Sequence, residues 1–403
     1  MFRPHIASLR ALYPLFYPEN LSEGAFLSQN LVKTEFDFLF GGSPSHVLIQ
    51  DELPSIKDIS SGGSALLVCD TYTEGLARRI VGDAGLTEIP ILVLKSGAKS
   101  KSWESVQIIL RSGFEAALGR DGLFIGVGGG FISDICAFAA SIYMRGARLS
   151  LVSTSLLGML DASLGGKTGV DLFGLKNLAG TFFPAGLVVL PLEALDSLPE
   201  REWKSGMAEL IKTAILDSDG SLELTKKLIS LEKMGRNHPV YRECLKECIS
   251  MAISYKGRIV ETDPRESTNE RMLLNLGHTF GHALETVATS SALSHGEAVA
   301  WGIARACELG LFLGLTPAKR AREITGILCS YGYEISSPHP FQVSTEAIIK
   351  VMRSDKKRRA GKFRFIVPES QGARLITAED FPALTEDLLI KILNGEYLLD
   401  TLS

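Results

Sequence analysis

The sequence predicts an α/β domain with a mostly parallel sheet, followed by an all-helical domain. Through the first half of the chain, short apolar runs rich in β-branched residues alternate with amphipathic stretches, as in strands connected by helices. After Pro199 the strand-like runs stop and apolar residues recur at helical intervals. The predicted division is therefore an N-terminal extension over 1–46, an α/β domain over 47–198 and a helical domain over 199–403.

Each predicted element follows from a run of this kind. Buried strands are expected at His46–Gln50, Ala65–Cys69, Ile91–Leu94, Leu123–Val127, Leu149–Val152 and Leu187–Leu190. Helices are expected between them at Thr73–Val81, Trp103–Leu118 and Ile132–Arg145. Helical spacing in the second domain covers Trp203–Leu216, Ser221–Leu231, Val240–Val260, Met272–Val287, Glu297–Leu313, Ala321–Leu328 and Ala347–Met352. A hairpin of Phe363–Val367 and Ala373–Ile376 precedes a closing helix near Asp380–Leu393.

Composition and charge exclude several classes of protein. The 403 residues are 45% hydrophobic and 22% charged, which is typical of a folded globular chain. The formal net charge of -4 gives no support for a nucleic-acid or membrane partner. The six cysteines form no CxxC pair, and no apolar run is long enough to span a membrane. We therefore expect a cytoplasmic protein without a disulfide framework.

A group of histidines in the second domain is the densest chemical signal. His278 and His282 stand four residues apart, on one face of a helix, and His295 opens the next predicted helix. Two neighbouring helices could thus direct imidazoles into one cavity and bind a metal, with solvated or core histidines as the alternative. Thr279 follows His278 where the HExxH motif of zinc proteases has a glutamate, so the pattern does not favour a protease.

A catalytic metal with two or three histidine ligands commonly takes a carboxylate as well. Glu209 is the candidate, because it stands in an otherwise apolar helical stretch where a buried acid needs a partner. Lys212 lies three residues further on the same face, so a surface Glu209–Lys212 ion pair is an equally weighted alternative.

Two glycine-rich strings favour the binding of phosphate groups. Gly126–Asp134 stands at a strand end that leads into a helix, where backbone amides could approach a pyrophosphate, although a tight turn is the alternative. Phe131 replaces the last glycine of GxGxxG, so the dinucleotide fingerprint is incomplete. Asp161–Val170 contains Gly-Gly-Lys-Thr, but Asp161 replaces the first glycine of a P-loop. Lys167, followed by Lys176 and Asn177, still suits a phosphorylated, hydroxylated small molecule.

Taken in order, these strings closely resemble those of the 3-dehydroquinate synthases, within the sugar phosphate cyclase family. The resemblance extends from about residue 47 to about residue 368. Its most specific parts are Gly128–Asp134, Tyr143–Gly146, Asp161–Val170, Leu198–Lys212, Arg271–Glu285, His295–Glu297 and Asp355–Lys357. The resemblance implies a Rossmann-like NAD-binding domain and a helical metal- and substrate-binding domain.

The activity that the resemblance implies is that of an NAD- and zinc-dependent, phosphate-eliminating lyase. It would convert 3-deoxy-D-arabino-heptulosonate 7-phosphate to 3-dehydroquinate and phosphate, in the shikimate pathway to chorismate and aromatic amino acids. NAD would accept a hydride and return it within one turnover, and Co²⁺ is the alternative metal.

The resemblance also implies roles for individual residues. The metal ligands would be Glu209, His278 and His295. The catalytic residues would be His282, Lys167, Asn275 and Lys212, and the substrate-binding residues Asp161, Asn177, Lys256, Arg271, Lys356 and Arg145. The NAD-contacting residues would be Asp70, Lys101, Gly129, Gly130, Asp134, Thr154, Ser155, Lys176, Ser197, Leu198 and Glu202. Arg145 resembles an arginine that reaches the neighbouring subunit's phosphate site, which implies a homodimer.

The sequence departs from the family at the cofactor end and leaves three alternatives open. Where the family usually has GExxK, Ala98 replaces the glutamate, so weaker NAD binding is expected. A metal-dependent polyol dehydrogenase would usually show a GGGS string and an aspartate ligand, and Phe131 and Glu209 argue against it. A sister cyclase acting on sedoheptulose 7-phosphate would not need Arg271, which stands where the family holds the substrate carboxylate. A catalytically silent homologue is the third alternative.

Overall fold

A mostly parallel sheet forms the centre of the first half of the chain in a computed structural model, which describes residues 32–60, 63–82, 89–288, 293–337, 343–358 and 363–396. Its strands are β1 (Glu35–Phe40), β2 (Ser43–Gln50), β3 (Ala65–Asp70), β4 (Ile91–Leu94), β5 (Leu123–Gly128), β6 (Arg148–Ser153) and β9 (Leu187–Pro191). Across the sheet they follow the order β1-β2-β9-β6-β5-β3-β4. β1 pairs antiparallel with β2, and the other neighbours pair in parallel. The predicted α/β fold class is confirmed.

Helices connect the parallel strands, because a parallel pair requires a crossover. They are α1 (Ile56–Ile59), α2 (Glu74–Val81), α3 (Trp103–Glu115) and α4 (Gly130–Ile142). α4 follows β5 directly, and its buried face from Ile132 to Ala140 packs in the same core as the sheet. The carboxyl ends of β3, β5, β6 and β9 therefore meet at one edge of the sheet, where α/β proteins bind ligands.

Strand β1 extends the sheet into residues that the sequence pattern assigned to the N-terminal extension. Phe36, Phe38 and Phe40 alternate with exposed residues and are buried, as expected for an edge strand with one face on the core. The extension predicted over 1–46 is therefore too long at its C-terminal end, and residues 1–31 lie outside the described part. Residues Thr34–Ser403 form one compact unit, so the division at 198/199 stays a prediction.

The structure contains a hairpin between β6 and β9, called the second hairpin, that was not expected from the sequence. β7 (Val170–Leu172) and β8 (Leu175–Ala179) pair antiparallel and contain mostly polar or half-exposed residues, so they lack the apolar runs that predict buried strands. Phe173, at the turn, has a φ of 54° and is 90% exposed. This hairpin carries Lys176 and Asn177.

The second half of the chain is helical, as predicted, and ends with a small hairpin. Its helices are α5 (Glu200–Asp217), α6 (Asp219–Leu231), α7 (Pro239–Thr262), α8 (His278–Val287), α9 (His295–Phe312), α10 (Ala318–Ser330), α11 (Thr345–Arg358) and α12 (Glu386–Leu393). The hairpin consists of β10 (Arg364–Pro368) and β11 (Ala373–Thr377). None of the described helices is long and apolar enough to cross a membrane.

Helices α8 and α9 approach each other through glycines. A Cβ atom added at Gly281 would lie 2.7 Å from the carbonyl oxygen of Ala298, and one added at Gly302 would lie 2.0 Å from that of Gly277. Gly277 precedes α8 with a φ of 79°, a conformation that favours glycine. The two backbones therefore pack closely where α8 and α9 present their histidines.

A buried ion pair lies within α9. The guanidinium of Arg305 donates from Nε and Nη2 to the two carboxylate oxygens of Glu308, each at 2.7 Å. The side chains are only 2% and 1% exposed, and Arg305 Nη1 also donates to the carbonyl of Ser336 at 3.3 Å. A charge pair this deeply buried is stable only because both partners are present.

Candidate functional site: a histidine–glutamate cluster beside the sheet edge

Three helices bring the predicted metal ligands together. Glu209 lies on α5, His278 begins α8 and His295 begins α9. Glu209 Oε1 is 3.7 Å from His278 Nε2 and 3.5 Å from His295 Nε2. One ligand atom from each residue lies within 4.8 Å of the other two, a grouping that could hold a metal ion.

Local interactions hold the beginning of α9 against α5. The backbone N–H of Gly296 donates to Ser205 Oγ at 3.0 Å, and a Cβ atom at Gly296 would lie 2.4 Å from the Cα of Ser205. Ser294 and Glu297 form a capping box at the start of α9. These contacts fix the backbone next to His295.

Glu209 is deeply buried and pairs with Lys212. The two side chains are 2% and 4% exposed, and Lys212 Nζ lies 2.5 Å from Glu209 Oε2. The alternative of an ion pair at the surface is therefore wrong about its location, although the pair itself exists. Burial opposes ionisation, but Lys212 and the neighbouring histidines outweigh it and hold the pKa of Glu209 well below its usual range.

The other oxygen of Glu209 has the surroundings of a metal ligand. Glu209 Oε1 is buried without a hydrogen-bond partner among the described residues, and it faces the two imidazoles. A buried carboxylate oxygen in this state costs free energy unless a donor or a cation meets it. A divalent cation between Glu209, His278 and His295 would satisfy it, so the residues fit a metal.

The two candidate histidine ligands have opposite electrostatic surroundings. Burial and the charge of Lys212 lower the pKa of His278 to about 3, so its imidazole is neutral, as metal ligation requires. Burial also opposes the charge of His295, but Glu209 and Glu285 outweigh it and raise its pKa to about 9. The carboxylates therefore favour positive charge at this place, whether it is a proton or a metal ion.

His282 lies beside the cluster on the solvent side. Its ring centroid is 5.0 Å from that of His278 and 5.9 Å from that of His295, and its side chain is exposed. Burial and the charge of His295 lower the pKa of His282 to about 4, so its imidazole is neutral near pH 7 and can accept a proton from a group beside the cluster.

Glu285 also contacts this cluster, although no role was predicted for it. Its Oε2 lies 3.5 Å from His295 Nδ1, and its Oε1 accepts a hydrogen bond from Lys176 Nζ at 2.9 Å. Burial opposes its ionisation, but His295 and Lys176 lower the pKa of Glu285 to about 2. The available signal was its position seven residues after His278, which places it on the same face of α8.

Several predicted substrate contacts already have partners within the chain. Lys256 is buried and binds Asp161 through both the carboxylate and, at 2.5 Å, the backbone carbonyl. Arg271 is 2% exposed and donates to the carbonyls of Pro264 at 2.8 Å and Gly165 at 3.0 Å.

Lys167 and Asn275 are more accessible than these residues. Lys167 contacts the carboxylate of Glu266, a residue without a predicted role that lies in the loop before Arg271. Asn275 ends the 3₁₀ turn Arg271–Asn275 and is half-buried. Asp263 organises this loop by accepting backbone N–H groups from Ser267, Thr268 and Arg271.

The predicted cofactor residues lie along the carboxyl edge of the sheet. Gly129 caps α4, and Gly130 is its first residue. A Cβ at Gly129 would lie 2.9 Å from Ser155 Oγ, and one at Gly130 would lie 3.1 Å from the Cβ of Ala162. Gly129 and Gly130 therefore allow close packing against Ser155 and Ala162 at the place where α4 begins. Thr154 and Ser155 follow β6 at the same edge.

A lysine joins this edge to the second hairpin. Lys101 Nζ contacts the carboxylate of Asp134 on α4, and it donates to Asn177 Oδ1 at 2.5 Å. Asn177 has a φ of 52°, and its backbone N–H donates to Asp171 Oδ1 at 2.7 Å. The structure thus brings Lys101, Asp134 and Asn177 into one group, although the predicted roles divide them between cofactor and substrate.

Some of the remaining predicted residues follow strands at the carboxyl edge of the sheet, and others lie on separate elements. Asp70 ends β3, where its Oδ1 accepts the backbone N–H groups of Tyr72 and Thr73 and so has a structural role. Ser197, Leu198 and Glu202 lie in the turn after β9 and the first turn of α5. Arg145 is exposed on a turn next to α4, with a φ of 70°. Lys356 belongs to α11, but the side chains of Lys356 and Ala98 lie outside the described part.

Comparison with solved structures identifies the fold. A 2-deoxy-scyllo-inosose synthase, whose crystal structure is a complex with carbaglucose-6-phosphate, NAD⁺ and Co²⁺, superimposes with a TM-score of 0.74 at 20% identity. The superposition covers 91% of this chain and 100% of that one. The 2-epi-5-epi-valiolone synthase ValA from Streptomyces hygroscopicus, with NAD⁺ and Zn²⁺ bound, gives a TM-score of 0.72 at 21% identity, covering 89% of this chain and 97% of that one. The chain therefore has the fold of the sugar phosphate cyclases.

Sequence comparison identifies the family within this class. Residues 91–205 match the model of the 3-dehydroquinate synthase N-terminal domain, and residues 206–358 match that of the C-terminal domain. The 3-dehydroquinate synthase of Prochlorococcus marinus is 36% identical over 343 residues, or 84% of this chain and 91% of that protein. The synthase of Helicobacter pylori is 33% identical over 352 residues, or 87% of this chain and 96% of that protein. The chain belongs to the 3-dehydroquinate synthase family.

Proposed function

We propose that the protein converts 3-deoxy-D-arabino-heptulosonate 7-phosphate to 3-dehydroquinate and phosphate. The observation that carries this proposal is the buried cluster of Glu209, His278 and His295 in a chain that is 33–36% identical to synthases named for that product. This lyase reaction belongs to the shikimate pathway to chorismate and aromatic amino acids. The same cluster and family favour it over a polyol dehydrogenase.

In this proposal Glu209, His278 and His295 hold one divalent metal, with zinc preferred over cobalt. The unpartnered Glu209 Oε1, facing two imidazoles, supports the assignment. When bound, such a metal polarises a substrate oxygen. Lys212 keeps Glu209 ionised, and exposed His282 exchanges protons with the substrate beside the cluster.

NAD binding is proposed at the carboxyl edge of the sheet, where NAD supplies a hydride acceptor that is regenerated in the same turnover. In this proposal the pyrophosphate binds the backbone N–H groups at the N-terminus of α4, where Gly129 and Gly130 pack closely against Ser155 and Ala162. Lys101 and Asp134 are close enough to act together on the cofactor. The remaining predicted contacts are Asp70, Thr154, Ser155, Lys176, Ser197, Leu198 and Glu202.

Cationic side chains are proposed to hold the two anionic ends of the substrate. Lys167 and Lys256 each contact an acid of this chain, so an anionic group of the substrate would have to share or replace that carboxylate. Arg271 would stabilise the carboxylate end, which neutral-headed sugar phosphates lack. The other proposed contacts are Asp161, Asn177, Asn275, Lys356 and Arg145.

A phosphate-release assay tests the substrate. The purified protein is given the heptulosonate phosphate or sedoheptulose 7-phosphate, each with and without NAD. We expect the heptulosonate to be favoured by about a hundredfold or more in kcat/KM, the scale of about 3 kcal/mol. Equal turnover of both sugars, or accumulation of NADH in proportion to product, would contradict the proposal.

Metal analysis tests the site independently of turnover. Purified Glu209→Ala and His278→Ala should lose most of their bound metal, because each change removes a proposed ligand. His46→Ala is the matched control, since His46 is a half-exposed histidine on β2 that contacts Asp37 at 2.7 Å. Wild-type metal content in both site variants would exclude this ligand set.

We further propose that the protein is a cytoplasmic homodimer. None of the six cysteines, all of which lie in the described part of the chain, forms a disulfide, which is typical of proteins in a reducing compartment. Arg145 is exposed and so available to a neighbouring subunit. Sedimentation velocity of the wild type should give a dimer mass, and mixing Arg145→Ala with an inactive Lys167→Ala protein should restore activity through hybrid dimers.

A further inference from the structure

Glu285 lies between the candidate metal cluster and the second hairpin. It is on α8, its side chain is 17% exposed, and its two oxygens face different partners. Oε2 lies 3.5 Å from His295 Nδ1, and Oε1 accepts a hydrogen bond from Lys176 on β8 at 2.9 Å. The lysine thus limits the positions that the carboxylate can take next to the imidazole.

The two nitrogens of His295 point toward different carboxylates. Nε2 lies 3.5 Å from Glu209 Oε1, on the side of the candidate metal site, and Nδ1 faces Glu285. A neutral imidazole that binds a metal through Nε2 must carry its proton on Nδ1. A carboxylate beside Nδ1 accepts that proton in a hydrogen bond, fixes the tautomer and orients the ring.

His278 shows the same arrangement with a different acceptor. Its Nε2 faces Glu209, and its Nδ1 lies 3.2 Å from the carbonyl oxygen of Leu276. Both candidate imidazole ligands therefore have an oxygen at the nitrogen that points away from Glu209. This shared geometry indicates that the outer oxygens select the ligand nitrogen in each case.

We propose that Glu285 is a positioning residue. Its carboxylate holds the imidazole of His295 so that Nε2 is directed toward the proposed metal site. This inference rests on the proposed metal site at Glu209, His278 and His295 and adds a residue to it. Glu285 is not a ligand in this arrangement, because the carboxylate acts through the imidazole.

The test is the zinc affinity of NAD-free protein, measured by competition with a chromophoric chelator. We expect Glu285→Ala to bind zinc about 10–100-fold more weakly than the wild type. Glu285→Gln should recover a large part of this loss, since its amide oxygen still accepts the Nδ1 proton. Glu323→Ala is the matched control and should bind zinc like the wild type, because half-buried Glu323 contacts Lys226 at 2.7 Å on other helices.

Two further variants separate this inference from the proposed metal site. Glu209→Gln with wild-type affinity would contradict the metal site itself, whereas its loss together with unchanged affinity in Glu285→Ala would overturn only the role of Glu285. His282, Glu285 and His295 form a second possible ligand group. Equal losses in His282→Ala and Glu285→Ala, with affinity retained in Glu209→Gln, would place the metal there and overturn the inference.

A spectroscopic measurement distinguishes positioning from a general effect on folding. The visible absorption of the Co²⁺-loaded protein should change in Glu285→Ala, because the ring of His295 is no longer fixed, and should return toward the wild-type spectrum in Glu285→Gln. The Glu323→Ala spectrum should equal that of the wild type. Identical spectra in Glu285→Ala and the wild type would overturn the inference.

Discussion

Replacing Lys212 by methionine should destabilise the metal-free protein strongly and the metal-bound protein much less. Lys212 Nζ lies 2.5 Å from Glu209 Oε2, and both side chains are at least 96% buried, being only 4% and 2% exposed. Removing one partner of such a pair leaves an uncompensated buried charge and typically costs about 3–5 kcal/mol. A divalent metal bound to Glu209 supplies positive charge in place of the lysine, so metal should restore a large part of that loss.

Urea unfolding in buffered zinc measures the stability of the metal-bound protein, and urea unfolding in chelator measures that of the metal-free protein. Zinc at about 100 times its Kd should stabilise the wild type by about 2.7 kcal/mol. The stabilisation of Lys212→Met should exceed this value at the same zinc concentration, because no ammonium group competes for the carboxylate. Midpoints are compared only where the m values agree, so that the differences report stability.

The double variant Glu209→Gln/Lys212→Met is the control for the pair. It removes both charges, so in chelator it should be more stable than Lys212→Met alone, and zinc should not stabilise it. Equal zinc stabilisation of Lys212→Met and the wild type would refute the reasoning, because it would show that metal and lysine do not share Glu209.

Three other changes test how the fold supports the site. In thermal unfolding, Gly281→Ala should cost about 1–3 kcal/mol of stability, and it should also weaken metal binding, because its Cβ would force α8 and α9 apart. Gly326 is the control: it is exposed on α10, and a Cβ there would have no atom within 4 Å. Gly326→Ala should therefore stabilise the protein by about 0.5–1 kcal/mol in the same assay. Glu308→Ala should cost about 3–5 kcal/mol by leaving Arg305 buried and unpaired, whereas Arg305→Met/Glu308→Leu should recover most of that stability in urea unfolding. Burial opposes ionisation of Asp263, but the backbone N–H groups that donate to it lower its pKa. The wild type should therefore be more stable than Asp263→Asn above about pH 4, and this advantage should be lost as the pH falls through the pKa of Asp263 in the folded protein. A constant difference in stability between pH 7 and pH 2 would contradict this prediction.

The part of the candidate site that the sequence predicts is the part encoded in local spacing. The HxxxH pair and a third histidine at a helix start predicted an imidazole cluster, and the structure brings all three rings within 5.9 Å of one another. For Glu209 the sequence offered a metal ligand or a surface pair with Lys212. The structure explains why spacing alone left both open, because one oxygen meets the lysine and the other faces the imidazoles.

The contacts that the sequence did not predict join residues far apart in the chain. Lys176 and Glu285 are separated by 109 positions, and Lys167 and Glu266 by 99, so neither pair produces a local pattern. In the fold, the buried strands were predicted because their apolar runs are continuous. β7 and β8 were not, because a short and largely exposed hairpin has no such run, and β1 shows only its alternating phenylalanines.

Glycines explain why a short string of histidines forms a compact cluster with Glu209. The close approach of α8 and α9 depends on hydrogen atoms in place of side chains at Gly281 and Gly302, where any Cβ would meet backbone at 2.7 Å or less. The distance between these helices sets the separation of His278 and His295, whose ring centroids are 5.5 Å apart. At Gly296 a third close contact brings α9 against α5, which carries Glu209. Because the distances within the proposed ligand set follow from backbone contacts, metal affinity should respond to changes at these glycines as well as to changes at Glu209, His278 and His295.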